Sequence, residues 1–204
     1  MPVAKLGAIL LAAGASRRMG TIKQLLPVQD EPAVRHCLGR MLDAGIEHIV
    51  VVLGANRQKI RPVVNDLPVD IAVNVHPNSH MSASVSTGLT CLPAAVTGVL
   101  VALCDHPLVS TATYQFLNGY HHLAPDSILL PEYRGRGGHP TVFPRDLSRL
   151  ADYGIPLNRV VHENSDRVRR IALDAPGITQ DMDTPEDYRR LLRLTESPFF
   201  TAMG

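Results

Sequence analysis

Gly7-Ala8-Ile9-Leu10-Leu11 runs directly into Ala12-Ala13-Gly14-Ala15-Ser16-Arg17-Arg18-Met19-Gly20-Thr21-Ile22-Lys23. The first five residues are apolar without alternation, which predicts a strand covered on both faces. Residues 12–23 then form a loop of small residues carrying two arginines and a lysine. Small residues let backbone N–H groups approach an anion, and the cations neutralise phosphate charge. The loop is not a Walker A sequence, because five residues separate Gly14 from Gly20 and Lys23 comes three later. It does not fit G-x-G-x-x-G either. The bland alternative is a solvated basic turn.

Outward from this stretch, strand-like and helix-like segments alternate. Residues 31–44 place Val34, Cys37, Leu38, Met41 and Leu42 at helical spacing, with Asp30 as N-cap, Pro32 in the first turn and Gly45 as the stop. Further strands are expected at 49–53, 70–75, 99–103 and 127–130, with helices at 56–64, 81–92 and 111–121. This order predicts an α/β fold with a mainly parallel twisted sheet and helices on both faces. After residue 131 the rhythm breaks. Arg134 to Pro140 is glycine-rich, Thr141-Val142-Phe143 suggests a small antiparallel addition, and 145–163 reads as two short helices. A strand over 167–173, with Arg167, Arg169 and Arg170 on a solvated face, and a helix over 185–194 complete the expectation. The chain thus reads as one domain over 1–194 with a tail over 195–204.

Composition narrows the function. Hydrophobic residues make up 45% of the 204 and charged residues 19%, which is globular rather than disordered. With 20 Lys+Arg against 19 Asp+Glu there is no broad basic field for nucleic acid or an anionic membrane. An anionic ligand needs a local site. Cys37, Cys91 and Cys104 form no C-x-x-C pair, which disfavours disulfides and zinc and suits the cytoplasm. Residues 8–13 are too short an apolar run to span a bilayer.

Ligands in open parallel sheets sit beyond the carboxyl ends of the strands. Asp105 stands there, directly after the apolar run 99–103, where a carboxylate suits a hard cation such as Mg²⁺; an Asx-turn is the alternative. In Gln180-Asp181-Met182-Asp183-Thr184-Pro185 an extended backbone points Asp181 and Asp183 the same way, while Asp183 or Thr184 also suits a helix cap. His139, in Gly137-Gly138-His139-Pro140, is a candidate ligand contact. His121-His122 reads as an exposed pair complementing a helix C-terminus. Cys104 reads as a packing residue rather than a nucleophile.

Taken together, these segments resemble the nucleotidyltransferases of molybdenum cofactor biosynthesis, in particular the molybdenum cofactor cytidylyltransferase branch. The likeness covers roughly residues 7–194. Leu11 to Lys23 matches L-A-A-G-x-S-x-R-M-G-x-x-K throughout, and Asn74, Met81, Ser84 and Gly88 match N-x(5)-G-M-x-x-S-x-x-x-G. Asp105-His106-Pro107, Gly135 to Pro140 and Asp181 to Tyr188 match the D-x-P, G-x-x-G-H-P and D-x-D-T-P-E-D-Y segments, in order.

The resemblance implies a single Rossmann-like domain and transfer of CMP from CTP to molybdopterin phosphate, with Mg²⁺ or Mn²⁺ as cofactor and pyrophosphate released. It implies that Leu11, Ala12, Ala13, Gly14, Ser16, Asn74 and Ser84 meet the nucleotide and that Arg18 and Lys23 hold its triphosphate. Asp105 and Asp183, with Asp181 as a further candidate, would hold the metal. His80, Gly138, His139 and Pro140 would face the acceptor, and a molybdoenzyme or its chaperone would receive the product. Ala13 favours CTP, since GTP users usually carry glycine there. One departure stands out: His80 replaces the family's glycine. The alternatives are a cytidylyltransferase acting on a sugar or polyol phosphate, a GTP-using guanylyltransferase, and a non-catalytic cofactor-delivery chaperone.

Overall fold

The computed structural model describes residues 4–76 and 80–195. The chain runs β1 (Leu6–Ala12), β2 (Pro27–Val28), β3 (Glu31–Pro32), α1 (Ala33–Asp43), β4 (His48–Leu53), α2 (Arg57–Ile60), β5 (Asp70–Val73), α3 (Met81–Leu89), β6 (Gly98–Leu103) and α4 (Thr111–Leu123). It continues through β7 (Ile128–Tyr133), β8 (Arg136–Gly137), β9 (Thr141–Pro144), α5 (Arg145–Ser148), α6 (Leu157–Glu163), β10 (Val168–Ala172) and α7 (Pro185–Thr195). Apart from Thr195, which closes α7, the expected tail lies outside the described residues.

The main sheet has the order β10-β7-β9-β6-β1-β4-β5, with β8 paired to β7. β1 pairs in parallel with both β4 and β6, and β4 with β5. β9 is antiparallel to its neighbours β6 and β7, which is the expected antiparallel addition, and it sits inside the sheet. A separate two-stranded antiparallel hairpin pairs β2 with β3.

The uninterrupted apolar runs have the cause inferred from them. Along β1, Ala8, Leu10 and Ala12 face a core beneath α1 and α4, while Ile9 faces a second core beneath α3. β4 divides the same way, Val51 and Leu53 against Val50 and Val52. Period-two alternation therefore fills both faces. Gly88 lets α3 lie flat on β1, for a Cβ there would stand 2.8 Å from Ile9 Cγ2.

Several expectations are corrected. Asp30 does not cap α1. It has φ 71° and, with Gln29 at φ 48°, forms the two-residue turn joining β2 to β3, a connection that needs positive φ at both positions. The helix starts at Ala33 behind Pro32. The helix expected over 56–64 breaks into α2 and a 3₁₀ turn, Arg61–Val63, since Pro62 has no N–H to continue it. Val75 is not part of β5, which ends at Val73, and α3 ends at Leu89.

His121 is not an exposed partner of His122. It is fully buried, with Nε2 3.0 Å from Thr97 Oγ1. Gly98 provides the slot: a Cβ there would lie 2.2 Å from the imidazole. Burial, aided by the charge of His122, pushes the His121 pKa down to about 4 against a weaker opposing pull from Asp126. Of the arginines near β10, Arg167 pairs with Asp146 and Arg170 with Glu132, while Arg169 is exposed. Among the described residues no helix is long and apolar enough to cross a membrane.

Candidate active site

The loop after β1 is tied by a residue that sequence reasoning passed over. Gln24 is buried, and its Nε2 donates to the carbonyls of Ala12 (3.0 Å) and Gly14 (2.8 Å). Ser16, at φ 54°, donates its hydroxyl to Gln24 Oε1 and accepts from the Lys23 backbone N–H. Ser16 thus shapes the loop from within. Ala12 is buried in the core with its carbonyl taken by Gln24.

This loop walls one side of a cleft of about 230 Å³. Leu11, Ala13, Gly14, Lys23, Asn74, Ser84 and Asp105 all line it, so seven expected residues from four segments converge. Asn74 Nδ2 donates to Ser84 Oγ at 2.9 Å, which joins the end of β5 to α3. Gly54, also unforeseen, lines the cleft and cannot carry a side chain, since a Cβ would lie 2.4 Å from the Ala13 carbonyl oxygen.

At one end of the cleft, Lys23 Nζ donates to Asp105 Oδ2 at 2.6 Å and to Asp183 Oδ1 at 2.8 Å. Arg18 Nη2 donates to Asp183 Oδ2 at 2.7 Å from an exposed position. The backbone explains the convergence: Met182 N donates to Asp105 O at 2.9 Å, pinning the Asp181–Asp183 segment beside the turn after β6. Thr184 and Asp187 cap α7 reciprocally, which leaves the Asp183 carboxylate for the cations. Burial works to lower the Lys23 pKa, but Asp105 and Asp183 outweigh it and hold it above the ordinary value. The hydrogen bond from Lys23 draws the Asp183 carboxyl below its ordinary range against the opposing effect of burial.

Two carboxylates aimed at one point suit a hard divalent cation, and Asp105 Oδ1 is buried with no hydrogen-bond partner among the described residues. The residues therefore fit Mg²⁺ or Mn²⁺. Among the described residues no group of three or more His, Cys, Asp or Glu is placed to hold a metal. Asp181 acts on His106 through its charge and makes no ion pair with Lys23 or Arg18 among the described residues.

A second cleft, of about 590 Å³, lies beside the first, and Met81 lines both. His80, Gly138 and His139 border it together with Val101, Leu130 and Phe143. Pro140 is buried and does not line it. Gly138 is a spatial necessity, because a Cβ there would stand 2.5 Å from the Ile178 carbonyl oxygen, which accepts from His139 N. The His139 ring lies 5.0 Å from that of His106, another residue not foreseen, and the Nδ1 atoms of both are buried without hydrogen-bond partners among the described residues. Burial, reinforced by His106, pushes the His139 pKa down to about 4 although Asp105 opposes it. Cys104 is a buried packing residue, as expected.

Residues 8–168 match the MobA-like NTP transferase domain. The chain belongs to this family. Among curated relatives of this NTP transferase, nicotine blue oxidoreductase of Paenarthrobacter nicotinovorans is 35% identical over 147 residues, 68% of this chain and 71% of the relative. The bifunctional protein GlmU of Kineococcus radiotolerans is 36% identical over 124 residues, 59% of this chain, but the match covers only 25% of that protein. The crystal structure of Rv0371c from Mycobacterium tuberculosis H37Rv superposes with a TM-score of 0.82 at 29% identity, covering 95% of this chain and 100% of that one. A manganese complex of Rv0371c gives a TM-score of 0.78 at 27% identity, covering 93% and 99%.

Proposed function

We infer that this NTP transferase moves a CMP group from CTP to the phosphate of a molybdopterin-type acceptor, in the cytoplasm, and releases pyrophosphate. The observation that carries this is the Lys23–Asp105–Asp183 cluster, of which Lys23 and Asp105 line the same cleft as the loop after β1. In the reaction an acceptor phosphate oxygen bonds to the α-phosphorus of CTP. The bond from that phosphorus to the bridging oxygen breaks, and the pyrophosphate takes the electron pair. Such transfers need positioning and charge neutralisation more than a covalent catalyst. Lys23 and Arg18 meet the triphosphate. Asp105 and Asp183 would hold the Mg²⁺ or Mn²⁺, which when bound supplies neutralisation of phosphate charge.

The acceptor side follows from the second cleft. Among the described residues its lining contains no Lys, Arg, Asp or Glu, and Val101, Leu130, Phe143, Leu157 and Val161 make it apolar. That suits a flat, uncharged body such as a pterin, whose polar edge would find partners among His80, Ser82, His139, Thr141 and Asn158. His139 stands where the acceptor's polar edge would enter, and a molybdoenzyme or its chaperone would receive the product. The name of the Paenarthrobacter relative, nicotine blue oxidoreductase, makes an oxidoreductase reading the competitor.

One assay separates them. Pyrophosphate release from CTP that depends on both molybdopterin and a divalent cation is the expected result. Inactivity with CTP whether or not molybdopterin is present, together with redox turnover of nicotine blue, would replace the transfer reading. Release with GTP alone would move it to the guanylyl branch.

A further inference from the structure

Lys23 does more in this structure than line a nucleotide cleft. Its ammonium bridges two carboxylates, and among the described residues the other side-chain hydrogen bond to them comes from Arg18, on Asp183. Three of the four carboxylate oxygens are therefore engaged by side-chain cations. The fourth, Asp105 Oδ1, is buried without a hydrogen-bond partner, and His106 Nε2 stands 4.0 Å from it. The side chains of Lys23, Asp105 and Asp183 are 12%, 21% and 25% exposed, so their charges are only partly screened. Formal charge within the cluster is balanced, two cations against two anions.

We propose that the Lys23 ammonium is a placeholder for the divalent cation, so that metal enters only together with the triphosphate that draws Lys23 away. This rests on the NTP-transferase reading of the site. A dication added to the balanced cluster would face Lys23 at contact distance and leave net positive charge in a partly desolvated site. A triphosphate brings the compensating anions. Lys23 already lines the nucleotide cleft with the same side chain that bridges the carboxylates, so its flexible stem has only to turn its head toward the phosphates. The carboxylates, pinned through Met182 N and Asp105 O, stay behind with their oxygens aimed at one point. Lys23 therefore keeps two like charges together in the free protein and couples cation to nucleotide on binding. The coupling is reciprocal: nucleotide tightens the cation by the factor by which the cation tightens nucleotide.

The experiment measures Mn²⁺ binding by electron paramagnetic resonance and calorimetry, with Mn²⁺ alone and with a non-hydrolysable CTP analogue. Wild-type protein, Lys23→Met, Lys23→Gln and Arg18→Gln are compared, with thermal unfolding to verify folding. Lys23→Gln keeps a hydrogen-bond donor between the carboxylates and serves if Lys23→Met does not fold. The expected result has two opposite parts. Without nucleotide, the Lys23 variants bind Mn²⁺ on the order of tenfold more tightly than wild type. They bind the analogue more weakly, and the coupling between the two ligands shrinks. Arg18→Gln, which frees one oxygen at an exposed position, shows a much smaller gain. Unchanged or weaker Mn²⁺ binding in the Lys23 variants overturns the proposal, and so does an equal gain in Arg18→Gln, which would assign the effect to net charge. If the analogue leaves wild-type Mn²⁺ binding unaltered while the Lys23 variants gain affinity, the placeholder stands and the nucleotide reading fails.

Discussion

The side-chain amide of Gln24 donates to the carbonyl oxygen of Gly14 at 2.8 Å, across ten residues of loop. A second bond to Ala12 O and the contact with Ser16 make this one buried amide the knot of the loop after β1. Gln24→Leu keeps most of the bulk but leaves two carbonyls without their donor. The expected loss is about 1–3 kcal/mol of folding stability, read from urea unfolding. KM for CTP should rise several-fold because Gly14 and Ala13 lose their fixed positions. A stability change within about 0.5 kcal/mol, the ordinary range for surface substitutions, would remove Gln24 from this role.

Asp105→Asn tests the cation assignment. The substitution keeps the side-chain shape, and the bond that pins the Asp181–Asp183 segment comes from the Asp105 backbone carbonyl, so the fold should survive. What is lost is the anionic ligand. Turnover should drop on the order of a hundredfold or more while near-ultraviolet circular dichroism stays native. Near-normal turnover would show that the cation is held elsewhere.

How much of this was legible in the sequence depends on distance along the chain. β1, β4 and β6 were readable because strands buried on both faces must be apolar throughout. Lys23, Asp105 and Asp183 stand out as candidates in the sequence because each belongs to a recognisable motif in a segment between elements or at an element's edge, and the fold brings the three together. Gln24 was not, since its partners lie ten and twelve residues back and no periodicity marks it. His121 was misread because its slot is made by Gly98, a glycine that looks from sequence like a strand start. Asp30 was misread because a cap residue and a tight-turn residue are the same residue type. The insertion of β9 between β6 and β7 is a tertiary choice that no local signal records.

Base preference should reside in Ala13. It lines the cleft proposed for the nucleotide, and its carbonyl is backed by Gly54 so closely that the strand end cannot retreat. A methyl group there narrows the approach open to a purine. CTP should be used with higher kcat/KM than GTP, and Ala13→Gly should shift the ratio toward GTP. Competition kinetics with both nucleotides decide it, and an unchanged ratio removes Ala13 as the determinant.

The buried imidazole of His121 makes stability depend on pH. Its pKa is lowered from 6.5 to about 4, so between those values the unfolded chain holds a proton that the folded chain refuses. Stability should be level above about pH 6.5 and fall as pH drops from there toward 4. His121→Phe should flatten the part of that slope that belongs to this residue, measured by urea unfolding across the window. Gly98→Ala should cost about 1–3 kcal/mol by overpacking the same slot. Equal pH slopes in wild type and His121→Phe would show that the group does not titrate as a buried neutral imidazole.

His80 is where the chain leaves its family's pattern, and the structure narrows what the usual glycine is for. The residue sits at the N-cap of α3 with φ −63° and ψ 159°, a conformation open to any residue. Glycine is therefore not demanded by the backbone, and the difference is one of space and polarity. The side chain makes no capping bond, is exposed, and borders the second cleft, which His139 also lines. An imidazole there narrows the mouth and offers a polar group to an entering acceptor. His80→Gly should raise KM for the acceptor and leave KM for CTP unchanged, because His80 does not line the nucleotide cleft. His80→Gln, which keeps bulk and a hydrogen-bond donor, should restore part of the acceptor affinity. Acceptor kinetics identical in all three proteins would make His80 an ordinary surface residue, whereas a change confined to the CTP constant would put it on the other substrate.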